Sequence, residues 1–429
     1  MNKKEIFGWT MYDWANSAFA TTMMAAVLPI YYHDVAAKGV DSTTATAFWG
    51  YSQTIAIIIV AVLSPILGAV ADSSYSKSKF VRGFALIGII SCLLFAFVGQ
   101  GDWLLASLLF VLGTVGFSGG NAFYDAFLPE IAPKNQMDRI SSRGYAFGYI
   151  GGGLLLLINL LMIMKYQWFL FPDATTATKA VFVTVGIWWL LFSIPFFRHV
   201  KDKRPSDEVK RKGTSYRDGF RRVAETFKEI KQYKELLKFL IAFWIFNDGI
   251  STIIKMATIY GRDIGIGQTD LIAALLITQF VGIPFSFFFG WLSGRIAAKK
   301  ALLIALWIYV LIVGLGYFMT SAWQFYLLAF MVGIVQGGAQ ALSRSIFGQM
   351  IPEGRSAEYY GFFGISSKFS SVFGPFLFAL VAQLTGTSRL GIISVALFFL
   401  VGIFMLMFVD IEKGEAERLK RGSKTEVVV

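Results

Sequence analysis

Apolar residues in this chain come in continuous runs of about twenty, with polar residues confined to short gaps between them. Twelve such runs can be drawn: 14–32, 48–70, 80–98, 103–127, 144–164, 179–197, 239–260, 271–291, 301–319, 323–347, 359–384 and 391–409. A helix rising ~1.5 Å per residue needs about twenty apolar residues to cross ~30 Å of hydrocarbon. Backbone polar groups in lipid must be satisfied internally, so only helices or closed barrels span. The runs are continuous rather than alternating, which selects helices. The pattern predicts an all-α membrane protein of about twelve transmembrane helices.

One gap is long. Residues 198–238 hold fourteen Lys/Arg and seven Asp/Glu, a net +7 out of the chain's +12. They separate two apolar halves, 1–197 and 239–411, and a polar tail follows at 412–429. Inside the gap Phe220, Val223, Phe227, Ile230 and Leu237 recur at helical spacing with basic residues between them. That predicts a basic amphipathic helix resting on anionic lipid.

Composition agrees with the pattern: 56% of residues are hydrophobic and 15% charged, where soluble domains carry about 25% charged. Lys and Arg alternate between sides. The side opposite the N-terminus carries only Lys38, Lys165, Lys179, Arg262 and Arg389. The positive-inside rule then puts both termini and the central segment in the cytoplasm, with a bacterial-type inner membrane as the expected location. It also explains the pI near 9.5 without nucleic acid. Cys92 is the only cysteine, and His33 and His199 lie far apart. No disulfide framework, metal or cofactor is expected. No small-residue cleavage site follows the first run, so it stays as the first helix. There is no phosphate-binding loop, nucleophile elbow or HExxH, so neither an ATP-driven pump nor a hydrolase has a visible site.

The halves share punctuation. Gly68-x-x-x-Asp72 with Lys77 and Lys79 closes the second run, and Gly290 with Gly294, Arg295, Lys299 and Lys300 closes the eighth, 222 residues on. Pro129-Glu130 and Pro352-Glu353 are 223 apart, and Gly144 and Gly361 are 217 apart. Two six-helix halves related by an axis along the membrane normal are predicted, with a solute site between them near mid-membrane.

At Gly68, Asp72 and Lys77 the chain resembles the major facilitator superfamily, with Ser73 and Tyr75 where that family's loop has arginine and glycine. Gly144-x-x-x-Gly148-Tyr149-x-x-Gly152-Gly153 is similar to the exporters' fifth-helix signature, with Tyr149 at the proline position. Small residues there also simply permit close helix packing. Tyr12-Asp13-Trp14-Ala15-Asn16-Ser17 and Asn121-x-x-Tyr124-Asp125-x-x-x-Pro129-Glu130 resemble the vacuole-effluxer branch. Fungal members of that branch are implicated in amino-acid efflux. The resemblance implies a secondary transporter working by alternating access, a proton-coupled exporter of amino acids or similar amphoteric solutes, acting as a monomer. The alternative of the same fold is a lysolipid or organic-anion transporter; an integral membrane enzyme is the remote one.

Charged residues inside apolar runs face a cavity or a partner. Asp248 and Lys255 share a face of the seventh run beside Asn247. Arg344 lies in the tenth run with Gln336 and Gln340, and Lys368 in the eleventh. These are the expected substrate-binding groups, with Tyr12 and Asn16 opposite them in the first half. Asp248 is the expected counter-charge of Lys368, in a solute site or in a purely structural pair. Asp13, Asp72, Asp125 and Arg143 are the expected gating and coupling charges, Asp72, Asp125 and Arg143 as a cytoplasmic lattice. Asp13 also reads as a helix cap.

Overall fold

The structure is a computed structural model that describes residues 2–202, 228–369 and 373–425. Most of the amphipathic helix expected in the central polar segment lies outside the described residues. The first span begins as α1 (Lys3–Ala18) and continues as a π-helix, Phe19–Ala26, then a single turn, Leu28–Tyr31. Nine long helices follow. They are α2 (Ser42–Ser74), α3 (Lys77–Leu94), α4 (Trp103–Ala126), α5 (Met137–Met164) and α6 (Ala174–His199), then α7 (Lys234–Asp263), α8 (Gln268–Ile296), α9 (Ala298–Tyr317) and α10 (Ala322–Met350). In the eleventh span the described helices are α11 (Ser356–Phe369) and α12 (Phe373–Thr385). The twelfth is α13 (Ser388–Ser394) followed by α14 (Ala396–Met407), and α15 (Ile411–Thr425) lies beyond it.

Among the described residues ten helices are long and apolar enough to cross a membrane. The first span does not meet that measure, and the reason is local. It carries Asp13, Asn16 and Ser17 and changes from α to π geometry, a change often found at functional sites. The described residues of all twelve predicted runs nevertheless fall mainly on helix. The outer faces are apolar, with Ile58, Leu108, Leu191 and Phe404 exposed, as lipid-facing positions are in a spanning bundle.

The helices form two six-helix bundles. In one, α1 packs on α5 and α6, α3 on α4 and α6, and α2 on α4. In the other, α8 packs on α10, α9 on α10 and α14, and α7 on α11 and α14. The main contacts between the bundles are α5 with α8, α2 with α11, α5 with α10, and α4 with α11. The α2–α11 seam is tight because glycine lines it. A Cβ on Gly68 would stand 2.6 Å from the Ala357 carbonyl oxygen, and one on Gly361 would stand 2.9 Å from Pro65 Cα. The seam runs along α11, whereas α12 packs mainly on α7 and α13 of its own bundle. The bundles therefore meet at the end that holds the start of α1 and α15, the terminal end, and diverge toward the other. At that other end Asp173 caps α6, accepting from Thr176 N–H at 2.7 Å, which holds its carboxyl below the ordinary carboxylate range.

Asp248 of α7, 2% exposed, ties α7 to α12. Its carboxylate accepts the Gly374 N–H at 2.8 Å. Thr252 Oγ donates to the Asp248 carbonyl at 2.6 Å. A buried N–H left without an acceptor is costly, and the carboxylate satisfies it. Asn retains the acceptor oxygen. Asp248→Asn is expected to keep a near-native melting temperature. Asp248→Leu is expected to lose about 1–3 kcal/mol, as a buried donor left unsatisfied does, read as a lower melting temperature in detergent. A lowered melting temperature in Asp248→Asn as well would show that the charge, not the acceptor oxygen, matters.

Candidate functional site

Where the bundles meet, Arg344 of α10 crosses from one to the other. Its side chain is 3% exposed. Nη1 lies 2.9 Å from Asp125 Oδ1 and 3.6 Å from Asp13 Oδ2, both on the opposite bundle. Nε donates to Ser141 Oγ at 2.9 Å and Nη2 to the Ser141 carbonyl at 2.8 Å. Three rings surround the guanidinium: Tyr145 at 4.5 Å, Trp9 at 4.8 Å and Tyr124 at 5.7 Å, measured to their centroids. The enclosure combines ion pairing, hydrogen bonding and cation–π attraction, all strengthened by exclusion of water.

Local sequence builds this box. Trp9 and Asp13 are four apart on α1 and so share a face. Trp9 stacks on Tyr124 at 4.6 Å and donates its indole N–H to the Tyr124 carbonyl at 3.0 Å. The Tyr124 hydroxyl in turn donates to Asp13 Oδ2 at 2.7 Å. Gly144 makes room: a Cβ there would lie 2.8 Å from the Trp9 ring and 3.0 Å from Arg344 Nη2. The small residue of the fifth-run motif is thus required by the arginine as well as by helix packing. Tyr360 of α11 holds the arginine's backbone, donating to the Arg344 carbonyl at 2.9 Å.

Directly over the box lies a cavity of about 350 Å³ between the bundles. Asp13, Asp125 and Arg344 form part of its wall. Amides dominate the rest, with Asn16, Asn121, Asn247, Gln279, Gln336 and Gln340 all lining it. Phe117, Phe243 and Phe363 supply apolar surface. Asn16 donates to Asn121 at 2.6 Å, tying α1 to α4 at the cavity edge. Ala20 and Thr21 of the π-helical stretch also reach it. Among described lining residues two carboxylates face one guanidinium.

Nearer the terminal end a second network crosses the bundles. Asp72 accepts from the N–H groups of Ala357 (3.2 Å) and Glu358 (2.9 Å) at the start of α11. Lys77 lies 3.3 Å from Asp72, pairs with Glu130 and donates to Ser356 Oγ at 3.0 Å. Asp138 of α5 accepts from Ser345 Oγ and from Gln349 Nε2 of α10. α15 adds a strap: Arg418 reaches Glu353 at 3.3 Å, and Glu415 lies 3.5 Å from Lys134 of the other bundle.

The residues singled out from sequence are distributed unevenly. Asn16, Gln340 and Arg344 line the cavity together with Asp13 and Asp125. Asp72 is in the terminal-end network. Tyr12 is wholly buried between Tyr124 and Phe196 (5.1 Å to each) and does not reach the cavity. Asp248 accepts the Gly374 N–H and is not among the described lining residues of the cavity, and Lys255 is exposed. The Lys368 side chain lies outside the described residues. Arg143 sits over the Phe147 ring at 5.2 Å, and the cation that meets Asp125 is Arg344. Sequence reading passed over Trp9, Tyr145 and Ser141. The Trp9–Asp13 spacing was the available signal. Nothing in one helix's own spacing points to a partner on another bundle.

Comparison with known proteins follows the same lines. The family model described as vacuole effluxer Atg22 like matches residues 1–419. The uncharacterized MFS-type transporter YxiO of Bacillus subtilis (strain 168) is 39% identical, over 95% of this chain and 95% of its own length. Autophagy-related protein 22 of Coccidioides immitis (strain RS) is 23% identical over 97% of this chain and 88% of its own. Two solved structures share the fold. The MFS transporter FucP in the outward conformation has a TM-score of 0.70 at 14% identity, covering 96% of this chain and 99% of its own. A bacterial homologue of the iron transporter ferroportin in the outward-facing state has a TM-score of 0.65 at 13% identity, covering 94% and 98%. With the family match spanning nearly the whole sequence and the fold matching over the same length, this chain belongs to the vacuole effluxer Atg22-like family of major facilitator transporters.

Proposed function

We propose that this protein exports an amphoteric solute of amino-acid size in exchange for protons, by alternating access of its two bundles. The observation that carries the reading is the Asp13–Arg344–Asp125 clamp between the bundles at the base of the cavity. The bundles cannot part at the terminal end while the guanidinium is paired across them. Protonation of the carboxylates from the open side weakens that pairing, and the Asp72–Lys77–Glu130 network then yields with it. Proton release on the other side restores the charges. Export rather than import is supported by the family description. In this reading the terminal end is cytoplasmic, the membrane is a bacterial inner membrane, and residues 1–197 and 239–411 move as the two halves of a monomer, with anionic lipid meeting the basic central segment.

The cavity supports the solute class. Its 350 Å³ lies at the small end of the ~300–1,000 Å³ found for ligand pockets, which suits a small metabolite better than an acyl chain. Its described lining carries two acids to one base, which favours an ammonium-bearing solute over an organic anion. Aligned amides and phenylalanines supply hydrogen bonds and apolar contact for the remainder.

The reading is tested by counterflow of a labelled amino-acid panel in proteoliposomes, with and without a pH gradient. Movement of amino acids that accelerates when the trans side is acidified is expected; no movement by correctly inserted protein contradicts it. In Asp13→Asn and Asp125→Asn proteins, acceleration by the pH gradient is expected to be lost. An unchanged pH response in both would remove these carboxylates from coupling. Arg344→Gln leaves buried carboxylates without their cation, a loss of about 3–5 kcal/mol for a broken buried pair. It is expected to lower the melting temperature and abolish gradient-driven transport, and a native melting temperature with full transport would contradict the clamp.

A further inference from the structure

The box around Arg344 has a second consequence, which rests on the transporter reading above. We propose that Asp13, Asp125, Trp9, Tyr124 and Tyr145 bind a side-chain cation of the transported solute when Arg344 is withdrawn, so that the solute carries a guanidinium or a second ammonium beyond its α-amino group and Arg344 is its tethered substitute.

The argument starts from which bundle owns which group. Both carboxylates and all three rings belong to the first bundle, on α1, α4 and α5. Only the guanidinium belongs to the second. When the bundles part at the terminal end, the cage stays whole and its occupant leaves. Two carboxylates within reach of one guanidinium nitrogen in a partly dry site do not both stay ionised without a cation. The vacated cage must take a proton or a cation. Its rings present their faces to a position already shown to accept a planar cation, and aromatic cages of this kind recognise ammonium and guanidinium groups. The carboxylate side chains of Asp13 and Asp125 are 14% and 22% exposed at the cavity wall, whereas that of Arg344 is 3% exposed. A solute in the cavity therefore meets the acids, with Arg344 seated below them.

The cycle that follows needs no further group. The solute's cation occupies the cage while the terminal end is open. Closing the terminal end returns Arg344 to the carboxylates and displaces the solute toward the opposite side. Protons from that side then free Arg344 again. Solute and proton thus alternate on one pair of carboxylates. The groups facing that pair are Tyr124 on α4, Tyr145 on α5 and Arg344 on α10, with Tyr360 of α11 on the Arg344 backbone.

The test compares L-arginine with L-citrulline, which replaces the guanidinium by a neutral group of nearly the same shape. Binding is measured by thermal shift and calorimetry on purified full-length Arg344→Ala protein. Arginine is expected to bind at least tenfold more tightly than citrulline, with affinity rising up to about tenfold per pH unit while a carboxylate must lose a proton to admit it. Asp13→Asn and Asp125→Asn together in that background are expected to abolish the preference. Equal binding of the two ligands, or a preference that survives loss of both carboxylates, overturns the proposal. Competition in wild-type proteoliposomes serves if Arg344→Ala does not fold. Arginine inhibiting counterflow far better than citrulline supports the proposal. Equal inhibition, or transport restricted to solutes without a side-chain cation and unaffected by arginine, overturns it and leaves the transporter reading intact. An absence of counterflow for every solute would instead defeat the transporter reading.

Discussion

A guanidinium buried between two separable bodies is the constraint on which this structure turns. Arg344 has left water almost completely, and an isolated charge in that position costs several kcal/mol. It is tolerated because the opposite bundle supplies two carboxylates, a serine hydroxyl, a backbone carbonyl and three aromatic faces. Each of those groups is in turn placed by something nearby: Trp9 by its stack on Tyr124, Asp13 by the Tyr124 hydroxyl, and the open space by Gly144. In the proposed cycle the pairing is made only while the bundles are closed at the terminal end, so its contribution to stability belongs to that state.

Other cross-bundle contacts are arranged around the same seam. Asp72 caps the start of α11 from the other bundle, and Lys77 with Glu130 completes the charge balance there. Within the second bundle the Asp248 carboxylate accepts a backbone N–H in the same way, from Gly374. Carboxylates therefore hold both described helices of the eleventh span, one across the bundles and one within. α11 is tied to the seam and α12 to its own bundle.

Much of this was legible in the sequence. Run length established helices, a count of about twelve, and the repeat, because lipid leaves the backbone few alternatives. The family motifs pointed to Asp72, Asp13 and Asp125, and intramembrane charge pointed to Arg344. What was not legible was pairing. Helical spacing tells which residues share a face of one helix, so Asp248 reads as the partner of Lys368 in its own half, and Arg143 as a member of a lattice with Asp72 and Asp125. The structure joins Asp125 to a residue 219 positions away. The structure gives Asp248 a backbone partner, the Gly374 N–H, which helical spacing does not reveal. The first span, which falls short of a simple apolar-length measure, carries Asp13 and Asn16 of the cavity wall.

The central claim is that Arg344 holds the terminal end closed through Asp13 and Asp125. It is tested most directly by pulsed electron-spin distance measurement between labels at Lys79→Cys on the first bundle and Lys300→Cys on the second. Both positions are exposed at that end. With the native clamp a single short distance is predicted. Neutralising both carboxylates, as Asp13→Asn with Asp125→Asn, is predicted to shift the population to a longer distance, as acidification does in the unsubstituted background. A distance distribution that stays short and unchanged on neutralisation would contradict the account.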